Sequence, residues 1–310
     1  MHALTSHAMP ADPRNFAEAM ASSQAQQWRE AMQDECQSIM DNKVLELVPR
    51  DSLPADARPL ASMFIFKTKH DANGNVERHK ARMVVKGCAQ RQGVDYDEVF
   101  APVAHHESIR IVLSTAAARG MVVHQMDVKT AFLIPEIKEV IFMELPRGWP
   151  EELPGGGSNG TLVARLNKAL YGLKQAPRYW YERLSGWMVD EGFKRSQSDP
   201  CLFVRELGDH NYLYVTVWVD DLLIAAAREQ DVLAFKRRIS AAFSMKDLGV
   251  AHFCLGMRFR YGWAAMDQER YIGELLERHG MANCKPVQTV KVWQCLPLAH
   301  QVAPCTCSVS

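Results

Sequence analysis

Apolar positions along the chain recur in two periods. From Gln26 to Met40, Trp28, Ala31, Met32, Cys36 and Ile39 recur at helical spacing, which predicts an amphipathic helix. The β-prone runs Met63–Lys69 and His79–Lys86 flank Asn73-Gly74-Asn75, a turn signal, so a long hairpin is expected. "SIRIVLSTAAARG" (108–120) reads as a helix ending at Gly120, and "MVVHQMDV" (121–128) as a strand. "PGGGSNG" (154–160) reads as a loop, and "APRYWYERLSGWMVDEGF" (176–193) as a helix running to Gly192. Two more amphipathic helices are expected over 229–243 and 267–279. Residues 1–25, rich in Ala, Ser, His and Pro, suggest a loose arm, and beyond about Val290 neither period nor caps continue. Strands and helices mix irregularly, with no βαβ rhythm and no repeat, so the expected class is α+β.

One stretch breaks its own pattern. "YLYVTVWVDDLLIAAA" (212–227) is β-prone and apolar on both sides, yet Asp220 and Asp221 stand in its middle. A strand, two aspartates and a second strand fit a tight hairpin whose tip carries both carboxylates. Two like charges about 4 Å apart repel by roughly 4 kcal/mol at an effective dielectric near 20, so a proton or a cation must neutralise them. Hard oxygen ligands favour Mg²⁺ or Mn²⁺ over zinc. Taken alone, the dipeptide reads as an ordinary Asp-rich turn. Asp127, at the end of the 121–128 strand, alone reads as a cap. If that strand lay beside the hairpin, the three carboxylates would converge on one sheet face and could hold two metals.

Composition and charge narrow the classes further. At 310 residues and 47% hydrophobic, the chain can bury a substantial core. The formal net charge is zero, so partners must be sought in local patches. One such patch is residues 58–91, where eight Lys/Arg face only Asp71 and Glu77. That segment reads either as a solvated edge or as a basic ribbon for phosphates. The eight cysteines form no regular frame and are expected as free thiols, and the Cys305/Cys307 pair reads as incidental. No basic-then-apolar leader and no apolar run near twenty residues occurs, which points to a cytoplasmic or nuclear protein with no membrane partner.

These pieces occur in order with the wording of one family. "WREAMQDECQSIMDNKVLELVP", "KARMVVKGCAQRQGVDYDEVFAPVA", "DVKTAFL", "KALYGLKQAPRYWYERL", "VDDLLIA", "FSMKDLG" and "LGM" resemble the reverse transcriptase of copia-type retrotransposons, over about Trp28 to Thr289. The resemblance implies a right-hand polymerase whose antiparallel palm sheet packs on helices. Fingers are then expected over about 26–100 and 134–168, palm over 101–133 and 169–260, a partial thumb over 261–290 and an unpatterned tail over 291–310. It implies RNA-directed DNA polymerase activity with Asp127, Asp220 and Asp221 as the catalytic, metal-binding aspartates and two Mg²⁺ ions, Mn²⁺ being an allowed substitute. The partners implied are an RNA or DNA template with primer, and dNTPs; the oligomeric state is not set.

Other site residues follow from the same resemblance. Phe132 would be the aromatic gate that collides with a ribose 2′-hydroxyl, although its pattern equally suits a core Phe. Gln175 would contact nucleotide and template, where unaided it reads as a surface turn residue. Lys67, Lys69, Lys80 and Arg82 would grip the triphosphate, and Lys246 would protonate pyrophosphate, where the plain reading is a surface lysine. Trp218, with Leu255, Gly256 and Met257 in the "FCLGMRF" hairpin (253–259), would lie on the primer side. Trp180, Tyr181 and Trp187 read as core packing from their helical spacing.

The chain also departs from that family. Trp218 stands where Tyr is usual, Met63 where Trp is usual, and Ile134-Pro135 where an Asn-Gly-type turn is usual. The segment after "CKPVQT" lacks the wording of a thumb and of RNase H. The alternative expectation is therefore a catalytically silent remnant that at most binds nucleic acid through its basic hairpin. A metal-dependent nuclease on the same carboxylates is a third reading, under which Phe132 and "YGLKQAP" have no role.

Overall fold

The computed structural model describes residues 11–70, 75–157, 160–255, 257–260 and 265–285. In chain order the first elements are α1 (Phe16–Ala21), α2 (Ala25–Asp41), β1 (Leu45–Pro49), β2 (Ser62–His70) and β3 (Val76–Val85). Then come α3 (His106–Ala118), β4 (Val122–Val128), β5 (Phe142–Met143), β6 (Leu162–Leu166) and α4 (Ala176–Asp190). The remaining elements are β7 (Lys194–Arg195), β8 (Leu202–Gly208), β9 (Asn211–Trp218), β10 (Asp221–Ala226), α5 (Glu229–Ala242), β11 (Met245–Val250), β12 (Phe253–Cys254), β13 (Met257–Arg260), β14 (Ala265–Asp267) and α6 (Glu269–Arg278). The described residues up to His252 form one compact unit, and Phe253–Arg260 with those from Ala265 form a second. Helices and antiparallel sheets thus mix as the α+β reading expects.

A six-stranded antiparallel sheet, ordered β11-β4-β10-β9-β8-β7, is the frame of the first unit. Its side chains alternate between two faces with the two-residue period of a strand. Met126, Val128, Leu222, Ile224 and Val217 pack with Trp180, Leu184 and Met188 of α4 and Val232, Phe235 and Ile239 of α5. Val123, Leu223 and Ala225 alternate with them and are also buried, while α3 runs against β4, β9 and β10. The sheet is therefore covered on both faces, and a charged residue within it needs a specific reason.

A second core joins α2, the β2–β3 hairpin and the β1-β6-β5 sheet. Trp28, Ala31, Met32, Cys36 and Ile39 of α2 are buried, as their spacing predicts. Glu35 shares that buried face. Its carboxylate accepts the Met83 backbone N–H at 3.1 Å, satisfying a strand edge that has no partner strand there. Burial raises the Glu35 carboxyl above its ordinary range, against the pull of that amide, Lys80 and Arg82.

The arm expected over residues 1–25 is, where described, partly a helix. Asn15 caps α1 by accepting from the Glu18 amide, Glu18 reaches back to the Arg14 amide, and Phe16 and Ala19 pack into the second core. The composition of that segment hides two apolar anchors among small residues. The strands expected on either side of the 73–75 turn pair as β2 and β3, while residues 71–74 and the tail 291–310 lie outside the described residues. Among the described residues, no helix is long and apolar enough to cross a membrane.

Candidate active site

The hairpin read from "VWVDDLL" forms as β9 and β10, with Val219 and Asp220 as its two-residue turn and Trp218 opposite Asp221. On the other side of β10 lies β4, in a register that sets Asp221 directly across from Asp127. Beyond β4 lies β11, which sets Lys246 directly across from Asp127. Facing residues in adjacent antiparallel strands project to the same side. Asp221, Asp127 and Lys246 thus form a row across three strands, and Asp220 stands at the hairpin tip beside it. The Asp220 carbonyl accepts the Val128 amide at 2.9 Å, tying the tip to β4.

The charges in this corner are undercompensated. Burial pushes the Asp127 carboxyl above the usual carboxylate range and Asp220 adds to this, while Lys246, Lys80 and Arg82 pull the other way. Burial likewise raises Asp221; a 3.2 Å hydrogen bond from Gln125 Nε2 opposes it, and Asp220 and Asp127 reinforce it. Among the described residues, no three His, Cys, Asp or Glu side chains are drawn together as a metal-ready group. Like-charged carboxylates are not expected to close on one another without a cation between them. The donor set, neighbouring carboxylates and nothing softer, fits a hard divalent ion.

The basic hairpin turns one face of alternate residues toward this chemistry. Lys67 pairs across the strands with Lys80, Lys69 with Arg78 and Ile65 with Arg82, so Lys67, Lys69, Lys80 and Arg82 share a face. Phe64, Phe66, Ala81 and Met83 on the opposite face are buried in the second core. Burial and the charges of Arg82, Arg78 and Lys69 lower the Lys80 ammonium, with Glu35 opposing. The Arg82 guanidinium lies over the Tyr171 ring, 5.0 Å from its centroid, and Phe132 meets the same ring edge-on at 5.3 Å. Lys67 Nζ is already paired with Asp12, at 2.7 Å. Sequence reasoning had no signal for that contact, because Asp12 comes from a segment read as loose.

One expected surface residue is buried. Gln175 is 1% exposed, correcting its reading as a surface turn residue. Its Oε1 accepts from Gln90 at 3.0 Å, and its Nε2 donates to the Asp95 carbonyl at 2.8 Å. The helix start at Ala176, with Pro177 in its first turn, makes "GLKQAP" look like an open turn, yet the 87–95 loop folds over it. Two glycines permit that approach. A Cβ on Gly87 would stand 2.0 Å from the Gly172 oxygen, and one on Gly172 would stand 2.1 Å from the Val85 oxygen. Lys246, by contrast, is exposed, as a surface lysine should be, and lies across from Asp127 in the sheet.

Trp218 ends β9 and its ring lies against His106 at the start of α3, at 5.2 Å between centroids. Leu255 and Met257 belong to the second unit, where Leu255 has a φ of +51° between β12 and β13 and Met257 is buried. Gly256 lies outside the described residues. Trp180 is buried as expected, while Tyr181 and Trp187 are half-buried.

Comparison with known proteins accounts for the co-occurrence of these features. The family model for reverse transcriptase (RNA-dependent DNA polymerase) matches residues 42–292. The retrovirus-related Pol polyprotein from transposon TNT 1-94 of Nicotiana tabacum is 39% identical over 301 residues, 95% of this chain and 22% of that protein. The corresponding polyprotein from transposon RE1 of Arabidopsis thaliana is 36% identical over 284 residues, 91% of this chain and 19% of that protein. A more distant relative is the transposon Ty1-NL2 Gag-Pol polyprotein of Saccharomyces cerevisiae, 32% identical over 161 residues and 48% of this chain. The chain thus spans about a fifth of the length of the Nicotiana and Arabidopsis polyproteins it matches. It belongs to the reverse transcriptase (RNA-dependent DNA polymerase) family, in the form found in the Pol polyproteins of copia-type retrotransposons.

Proposed function

We propose that this chain adds dNTPs to a primer 3′-hydroxyl on an RNA or DNA template, with Asp127, Asp220 and Asp221 holding two Mg²⁺ ions. The observation that carries this reading is the cross-strand register that sets Asp221 against Asp127 with Asp220 beside them, a group short of positive charge. When bound, the ions would activate the attacking hydroxyl and neutralise the leaving phosphate.

The chain's own residues supply the rest. Lys80 and Arg82 grip the triphosphate, with Lys69 on the same face and Lys67 after exchanging Asp12 for phosphate. Phe132, braced on Tyr171, excludes a ribose 2′-hydroxyl. Lys246, beside Asp127, delivers a proton to the departing pyrophosphate. Gln175 acts through the loop it fastens, since both ends of its amide are engaged. In this reading the chain has the right-hand layout: fingers over about 26–100 and 134–168, palm over 101–133 and 169–260, and a partial thumb over 261–290. Trp218 is assigned to the primer side, and the 253–259 segment is assigned to it separately, as part of its own unit.

The test is Mg²⁺-dependent extension of a primer on an RNA template, with Asp220→Asn as control. Extension that Asp220→Asn abolishes supports the reading; equal signals from the two proteins would sink it. The shared cationic face of β2–β3 favours a second reading, nucleic-acid binding without turnover. That reading predicts salt-sensitive binding which neutralising Lys80 and Arg82 weakens and Asp220→Asn does not.

A further inference from the structure

Val219 is where the backbone of the candidate site is strained. Its φ is +58°, in the left-handed region that a β-branched side chain rarely adopts. It is also the residue that sets where Asp220 and Asp221 begin. An isolated turn of this sequence would relax away from that conformation, so some tertiary contact must hold it.

That contact comes from α4. The indole N–H of Trp180 donates to the Val219 carbonyl at 2.6 Å. The indole is 2% exposed, and its ring meets Phe243 edge-on at 5.6 Å between centroids. A small, mostly apolar cavity of about 30 Å³ is lined by Val219, Val217, Trp180, Ala101, Pro102 and Val103, so packing around the turn is incomplete. The hydrogen bond is the directional contact there. A buried indole N–H also has a strong reason to keep its one acceptor, since an unmatched donor is costly.

We infer that Trp180 is a positioning residue for the catalytic turn: its indole N–H clamps the strained Val219 carbonyl and thereby holds the Asp220 and Asp221 carboxylates in register with Asp127. The same side chain otherwise reads as core packing, and the two roles separate by experiment. The inference rests on the polymerase reading for its kinetic consequence but not for its structural one.

Trp180→Phe keeps an aromatic ring against Phe243 and removes only the donor and some volume. Hydrogen exchange of the segment around 214–226, followed by mass spectrometry, is the readout that needs no turnover. Trp180→Phe should accelerate exchange there selectively. Trp187→Phe, which thins the same core against Phe235 and Phe243 without touching the turn, should leave that segment unchanged. In primer extension, Trp180→Phe should lower kcat about tenfold with KM for dNTP within roughly twofold, the loss of one buried hydrogen bond felt at the reacting centre. Val219→Gly makes positive φ easy, so combining it with Trp180→Phe should restore most of the lost kcat. Unchanged exchange in Trp180→Phe, or exchange raised equally by Trp187→Phe, would overturn the clamp. If wild type shows no Asp220-dependent extension, the polymerase reading falls and the exchange result still decides this one.

Discussion

β4 carries two buried-charge sites three residues apart, on opposite faces of one sheet, and they are solved differently. At His124 the fold neutralises itself. Buried Lys236 of α5 reaches His124 Nδ1 at 2.8 Å and the Asp247 carboxylate at 2.5 Å, and the Gly249 amide donates to the same oxygen at 2.8 Å. Burial and the nearby Lys236 charge depress the His124 imidazolium, so its neutral ring accepts a hydrogen bond from the Lys236 ammonium. Burial raises Asp247, but bonds from Lys236 and the Gly249 amide more than offset this and leave it below the usual range. At Asp127 the same strand meets Asp221 and, nearby, Asp220, and burial with mutual repulsion holds the first two above that range. A fold that can supply a buried lysine on one face leaves three carboxylates short of one on the other. Under the proposed function, the difference separates a self-neutralised structural site from one that would take a cation from outside.

The sharpest break of this contrast is at the carboxylates. Asp127→Asn or Asp220→Asn should cut primer extension on the order of a thousandfold, the several kcal/mol a metal clamp contributes, while the protein stays folded by circular dichroism. Rates within tenfold of wild type would remove Asp127 from the centre.

At the self-neutralised site the expected effect is on stability, and it is asymmetric. Asp247→Ala strands a buried ammonium and should cost about 3 kcal/mol. Lys236→Met leaves behind a carboxylate that is 53% exposed and can hydrate, so about 1 kcal/mol is expected. Urea unfolding at pH 7 measures both; equal costs would mean that the lysine is not the buried partner that matters.

The two sites should also respond oppositely to pH. A raised folded-state carboxyl gives stability that is present below the unfolded value of about 3.9 and lost as pH rises through the raised one. Asp221→Asn in metal-free protein should therefore stabilise by about 1 kcal/mol at neutral pH, and the gain should vanish toward pH 4. Mg²⁺ should raise the wild-type Tm and leave that of the variant nearly unchanged. Asp247, held below its ordinary value, contributes stability present above the unfolded value and lost as pH falls through the depressed one. Destabilisation by Asp221→Asn in metal-free protein would erase the contrast.

The smallest effect concerns the open cations of β2–β3. Lys80→Ala and Arg82→Ala should each reduce the slope of log K against log salt for nucleic-acid binding by about 1. Lys67→Ala should do less, because Asp12 already pairs with it. Filter binding across a salt series separates the three.

Much of this was legible in the chain. The period of Trp28–Ile39 marked a buried helix face, and the pattern around Asn73-Gly74 marked two paired strands. Two charges inside an apolar β run marked the hairpin tip. Asp12 at Lys67, Gln90 at Gln175 and Trp180 at Val219 carried no such mark. Each joins residues far apart in sequence, and each looks locally like something ordinary: a loose arm, an open turn, a core aromatic.

The amino-acid sequence by itself determined the long helices, the β2–β3 and β9–β10 hairpins and strand β4, and that carboxylates interrupt two of the strands. Those choices follow from periodicity and turn chemistry, which act over a few residues. Only the tertiary structure decided that β4 lies between β10 and β11, so that Asp127 faces Asp221 on one side and Lys246 on the other, while Lys236 closes the opposite face. Strand order and register depend on packing across the whole sheet, and the balance of charge at a buried site depends on who its neighbours are.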